Sequence, residues 1–128
     1  MLKVMIVDDE KHFLEKLQQI LSESSGYEVC GEYTDAFSAM EALQIAAPDI
    51  LIADVLMPGM SGIGLVMQVK QLYPDIRIVL MIEKPGLAVE GYEVGVSGVI
   101  LKPLTDRGVM RTLRRIIRLQ FSWKIDLC

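Results

Sequence analysis

Histidine occurs once in the 128 residues and cysteine twice. The two cysteines, Cys30 and Cys128, stand far apart with no Cys-x-x-Cys and no His cluster, which leaves neither a disulfide framework nor a zinc site. Long apolar runs are missing as well: 50–53 and 78–82 fall far short of the roughly 20 residues that a membrane-spanning helix needs. No signal peptide precedes the first element, so reduced thiols in a cytoplasmic protein are the expectation. Glycine (10) and proline (5) are too scarce for a collagen-like or low-complexity chain. Basic residues are outnumbered, 13 against 17 acids, and the net charge of -4 argues against a direct nucleic-acid grip by this domain. What remains is a chain that is 52% hydrophobic and 23% charged, long enough for one core and too short for two.

The apolar residues are arranged in an alternation. Leu2-Lys3-Val4-Met5-Ile6-Val7 is a nearly continuous β-branched run, as suits a strand buried on both faces. After Asp8-Asp9-Glu10, the residues Phe13, Leu14, Leu17, Ile20 and Leu21 recur at helical spacing up to Ser24-Ser25-Gly26, where Gly26 can take a left-handed stop. The same pair of signals returns: strand 28–33, helix 36–47 with Asp35 as its N-cap, strand 49–53, helix 63–72, strand 76–81, a weak helix 87–94, strand 98–101 and a longer helix 104–121. Strands that each lead into a helix imply a parallel sheet, because parallel neighbours need crossovers, and right-handed crossovers set helices on both faces. The expected fold is a doubly wound α/β sandwich with five parallel strands.

Ligands of such sheets gather at the carboxyl ends of the strands. There the chain places Asp8 and Asp9 after strand one, Asp54 after strand three, Ile82 and Glu83 after strand four, and Lys102 after strand five. Crowded carboxylates repel unless a hard cation relieves them, and Mg²⁺ with its preference for oxygen ligands is the implied cofactor. One carboxylate can then attack phosphorus while metal and ammonium neutralise the growing charge. Asp54 is the best-placed nucleophile, since the following Val55-Leu56-Met57-Pro58-Gly59 turn is expected to hold it open to solvent.

At these residues the sequence resembles the receiver domain of two-component response regulators, through Ile6-Val7-Asp8-Asp9-Glu10, through Asp54 with Met57-Pro58-Gly59-Met60-Ser61-Gly62, and through Leu101-Lys102-Pro103. The resemblance spans about residues 2–120 and implies a flavodoxin-like (βα)5 fold. It implies that Asp9, Asp54 and the Leu56 backbone carbonyl bind Mg²⁺ directly, that Asp8 holds the metal through water, and that Lys102 pairs with a phosphoryl group accepted by Asp54 from a sensor histidine kinase. Residues 1–121 are then the receiver and 122–128 a tail or the start of a linker. Such a domain is a self-phosphorylating switch rather than a metabolic enzyme. It leaves open a homodimer and a C-terminal DNA-binding output domain outside this chain that regulates transcription.

Two positions depart from the family pattern. Ile82 stands where a Thr or Ser hydroxyl usually meets the phosphoryl group, and Val99 where a Tyr or Phe usually answers it. Glu83, next to the missing hydroxyl, adds a charge that repels phosphate. These three residues support an alternative: a pseudo-receiver that works as a phosphorylation-independent interaction or dimerisation module. Elsewhere plain readings suffice. His12 reads as a surface residue of the first helix, Gly59, Gly62 and Gly64 as turn glycines, and the eight methionines as core filling, with Met57 and Met60 noted beside Asp54. Arg107, Arg111, Arg114, Arg115 and Arg118 read as a solvated helix face, with a docking face for a partner domain as the second option. Trp123 lies beyond the last needed helix, where it caps the domain, pairs two copies or begins a linker.

Overall fold

The computed structural model of the chain describes residues 1–120, so Phe121, Trp123 and the rest of the tail lie outside the described residues. The elements alternate as expected. They are β1 (Leu2–Val7), α1 (Lys11–Ser22), β2 (Tyr27–Tyr33), α2 (Ala36–Leu43), β3 (Ile50–Asp54), α3 (Gly62–Leu72), β4 (Arg77–Ile82), α4 (Leu87–Glu93), β5 (Gly98–Leu101) and α5 (Asp106–Gln120). All strand pairs are parallel, in the order β2-β1-β3-β4-β5. Among the described residues no helix is long and apolar enough to cross a membrane.

Period two along the strands sorts the core into two halves. Val4, Ile6, Ile50, Ile52, Val79, Met81 and Ile100 face α1 and α5, which supply Leu14, Leu17, Leu21, Val109, Leu113 and Ile116. The intervening residues Met5, Val7, Leu51, Ala53, Ile78, Leu80 and Ile82 face the other way, against Ala36, Ala39, Leu65, Val66 and Val69. Away from their ends the three inner strands are therefore apolar on both faces, and their polar side chains, Lys3, Asp54 and Arg77, stand near the strand ends.

Local capping chemistry sets the helix ends. Asp35 Oδ1 accepts from the Ser38 N–H at 2.7 Å, Ser61 Oγ from Gly64 N–H at 3.2 Å and Thr105 Oγ1 from Gly108 N–H at 3.0 Å. Gly26 takes the expected positive φ, +99°. Most boundaries fall within one residue of the expectation, with Asp54 and Ile82 each inside the end of its strand rather than after it; two differ by more. α2 ends at Leu43 rather than at residue 47: the amides of Gln44 and Ile45 bond three residues back, to Glu41 and Ala42, which tightens the last turn, and Pro48 disfavours helical backbone at Ala47. α5 begins at Asp106 rather than Leu104, because Thr105 is its cap. The β1–β2 pairing slips by one residue between Val4 and Met5, so that Cys30 is the extra residue of a bulge.

Candidate functional site

β1 and β3 lie side by side at the centre of the sheet, and their chains leave toward opposite sides, which opens a crevice at their carboxyl ends. Asp8, Asp9 and Asp54 meet there, with one oxygen from each within 4.8 Å of the others. Asp8 is fully buried; its Oδ1 accepts from the Glu10 N–H at 3.0 Å and its Oδ2 from Lys102 Nζ at 2.9 Å. Lys102 Nζ also lies 3.1 Å from Asp54 Oδ1. Its backbone N–H bonds to the Ile82 carbonyl, which ties the β5 end to the β4 end. An open cavity of about 210 Å³ stands over the group, lined by Asp9, Glu10, Asp54, Val55, Leu56 and Glu83.

The set expected from sequence thus converges, with one correction: Asp54 is not held open to solvent. It is 5% exposed, on the floor of the cavity, because β3 carries it to the last paired position, opposite Met81. Leu56 turns its side chain outward, 61% exposed, as befits a residue expected to act through its backbone. Ile82 and Val99 are not part of the polar group. Ile82 is 2% exposed and packs in the α2–α3 half of the core, and half-buried Val99 packs against that same cluster, so neither position offers a donor to the cavity. Glu83 is exposed on the rim.

Two participants were not singled out from the sequence. Glu10 joins the cavity wall. Phe13, read as a core residue of α1, lies with its ring centroid 3.6 Å from Lys102 Nζ, a cation–π contact that supports the ammonium from below. The signal was the spacing: a helical side chain leans toward the N-terminus of its helix, and Phe13 sits one turn past Asp9.

The electrostatics follow from crowding. Burial first, and the Asp8 charge second, push the Asp54 carboxyl up from 3.8 to about 6 against the opposing pull of Lys102. The Lys102 ammonium is disfavoured by burial, yet its hydrogen bond to Asp8 and the Asp54 charge outweigh that and raise its pKa above the usual value. Excess negative charge, oxygen ligands only and an open cavity above them fit a hard divalent cation.

This carboxylate has a sign that can be tested without metal. Its folded-state pKa lies above its unfolded one, so the folded chain holds the proton more tightly, and the stabilisation present below about 4 is lost as pH rises through about 6. In EDTA, Asp54→Asn is expected to stabilise the chain over wild type by about 1–3 kcal/mol at pH 7.5 and by much less at pH 4.5. Urea denaturation at the two pH values checks this; an equal difference at both would count against it.

Comparison with known proteins gives a consistent result. The model of the response regulator receiver domain matches residues 4–114. A response regulatory protein of Yersinia pestis is 33% identical over 120 residues, covering 92% of this chain and 49% of the relative. The transcriptional regulatory protein BtsR of Escherichia coli is 34% identical over 118 residues, 91% of this chain and 48% of the relative. The chemotaxis protein CheY of Thermotoga maritima is 29% identical, and the match covers 89% of this chain and 96% of that protein. The chain thus spans about half the length of the Yersinia and Escherichia relatives. Among solved structures, the signal receiver domain of NarL from Mycobacterium tuberculosis superposes with a TM-score of 0.82 at 26% identity, over 91% of this chain and 96% of that one. A LuxR-family response regulator from Aurantimonas does so with a TM-score of 0.85 at 25% identity, over 92% and 86%.

Proposed function

The chain belongs to the response regulator receiver family, and on that premise we propose that Asp54 is the acceptor of a phosphoryl group delivered by a sensor histidine kinase in a Mg²⁺-dependent reaction. The observation that carries this reading is the placement of Asp54 on the cavity floor, 3.1 Å from Lys102 Nζ and within the carboxylate cluster. Asp9, Asp54 and the Leu56 carbonyl would hold the metal directly and Asp8 through water. When bound, Mg²⁺ neutralises charge on the transferred group. Asp54 Oδ attacks phosphorus as the bond from phosphorus to the donor's leaving atom breaks, and that atom keeps the electron pair. Lys102, freed from part of its bonding to Asp54, turns its ammonium to the phosphoryl oxygens while Asp8 and the Phe13 ring keep it in place. The domain is a phosphoacceptor that catalyses only its own phosphorylation and dephosphorylation.

Downstream, we read the chain as the receiver part of a cytoplasmic transcription regulator whose output is DNA binding by a further domain, with homodimerisation as a route to activation. The support is a relative that is a transcriptional regulator about twice as long. With Ile82 and Val99 in the switch positions, no hydroxyl follows the phosphoryl group. Phosphorylation then acts on the β4–α4 loop through charge, with Glu83 on the rim as the group repelled.

The test is incubation with acetyl phosphate and Mg²⁺ followed by intact mass. One phosphoryl adduct is expected on wild type, none after EDTA and none on Asp54→Ala. The specific observations that favour the pseudo-receiver, an isoleucine in place of a donor and an acid on the rim, make the opposite outcome informative. No adduct under any condition would replace the phosphoacceptor by a constitutive interaction module.

A further inference from the structure

The net charge of -4 conceals a division. α5 contains Arg107, Arg111, Arg114, Arg115 and Arg118, one aspartate and no lysine, a net of +4, so the rest of the chain carries -8. At 100° per residue the five arginines fall within about 100° of arc, opposite the Val109, Leu113 and Ile116 stripe that enters the core. All five are exposed, and among the described residues they alone line an open groove of about 480 Å³. None of them makes an ion pair with a described residue. Like charges repeated at three- and four-residue spacing disfavour the helix that bears them, so the stripe is an arrangement lacking its counter-charge.

We propose that this face of α5 docks onto the phosphodiester backbone of duplex DNA without reading base sequence. The residue type is the first reason. Guanidinium forks match phosphate oxygens in pairs, and the stripe is built from arginine alone. The second is what the face lacks: of the exposed large hydrophobic side chains among the described residues, only Leu119 belongs to α5. A protein partner needs apolar or aromatic anchors at the centre of its site, whereas phosphate contacts need none. The third is length. From Arg107 to Arg118 the helix rises about 16 Å, more than the roughly 12 Å width of the major groove, so its two ends reach phosphates of both strands. Apart from Asp106, the acids of the described residues lie outside α5, and one of them, Glu23, lines a neighbouring cavity together with Arg114. A whole-chain charge balance does not register such a stripe.

Fluorescence anisotropy with a labelled mixed-sequence duplex of about 20 base pairs, titrated with the full chain, tests the proposal. Saturable binding is expected at about 50 mM salt, weakening about 40- to 150-fold by about 200 mM if three to four phosphates are engaged. Arg111→Gln with Arg115→Gln should make the slope of log K against log salt shallower by about 2, while the same pair changed to lysine keeps the slope. Lys70→Gln, on α3 behind the other face of the sheet, should leave it unchanged. Circular dichroism melts establish that the variants fold. The proposal is overturned by absence of binding at low salt, or by an equal loss with Lys70→Gln. It is overturned too if polyglutamate or anionic vesicles bind better than the duplex, or if the double variant alters self-association but not duplex binding.

Discussion

Lys102→Met is expected to destabilise the Mg²⁺-free chain at pH 7 by about 3–5 kcal/mol, the loss measured when one partner of a buried ion pair is removed. The ammonium donates to Asp8 Oδ2 at 2.9 Å and lies 3.1 Å from Asp54 Oδ1, and both carboxylates are shielded from water. Without it, among the described residues Asp8 keeps only the Glu10 N–H as donor. Methionine fills much of the same volume and preserves contact with the Phe13 ring, so the loss reports the charge rather than a cavity. Mg²⁺ should restore part of the stability, because it supplies the missing cation to the same oxygens. In the presence of Mg²⁺ and acetyl phosphate, phosphoryl uptake by the variant should fall about 10²- to 10³-fold, as when one donor to a developing oxyanion is deleted. Urea titrations in EDTA and in Mg²⁺, with uptake followed by intact mass, measure the two effects separately. A stability loss under about 1 kcal/mol would mean that water already reaches Asp8.

Gly62→Ala is the second large effect. Gly62 opens α3, and its N–H bonds to the Val55 carbonyl at 2.9 Å, so the helix starts directly against the strand end that carries Asp54. A Cβ at this position would overlap the Asp54 carbonyl oxygen and come within 2.7 Å of Val55 Cα. Both are backbone atoms at the end of the central strand, Asp54 its last residue and Val55 the next, and neither can swing aside. The expected loss is about 3 kcal/mol or more, and Asp54 should be displaced with its carbonyl, so phosphoryl uptake falls as well. Gly86→Ala is the matched control. Nothing lies within 4 Å of its Cβ position and its φ is -60°, so it should be neutral or stabilising by about 0.4–1 kcal/mol. Equal losses for the two alanines would refute the steric account.

The alternation of elements could be read from the chain because its inner strands are short continuous apolar runs and its helices are amphipathic, two periods that do not imitate each other. The site was legible for the same reason: in a sheet buried on both faces, Asp8, Asp9, Asp54 and Lys102 can be polar only at strand ends, and one fold brings those ends together. What escaped depended on local chemistry or on depth. The Thr105 hydroxyl and Pro48 set two helix boundaries that hydrophobic spacing alone misplaces. Phe13 has the spacing of a core residue and doubles as a ring under Lys102, a role that needs the height of β5 above α1. Asp54 was expected in solvent because Pro58 and Gly59 mark a turn, yet exposure there depends on which side of the strand end the carboxylate leaves.

The two outer strands bear on how the molecule behaves when crowded. β5 has only four residues, and β2 is interrupted by the extra residue of its irregular pairing and bears exposed Glu28 and Glu32. A free strand margin recruits other polypeptides when it is long, flat and uncharged. One margin here is too short and the other is irregular and acidic, so neither suits growth of the sheet by strand addition.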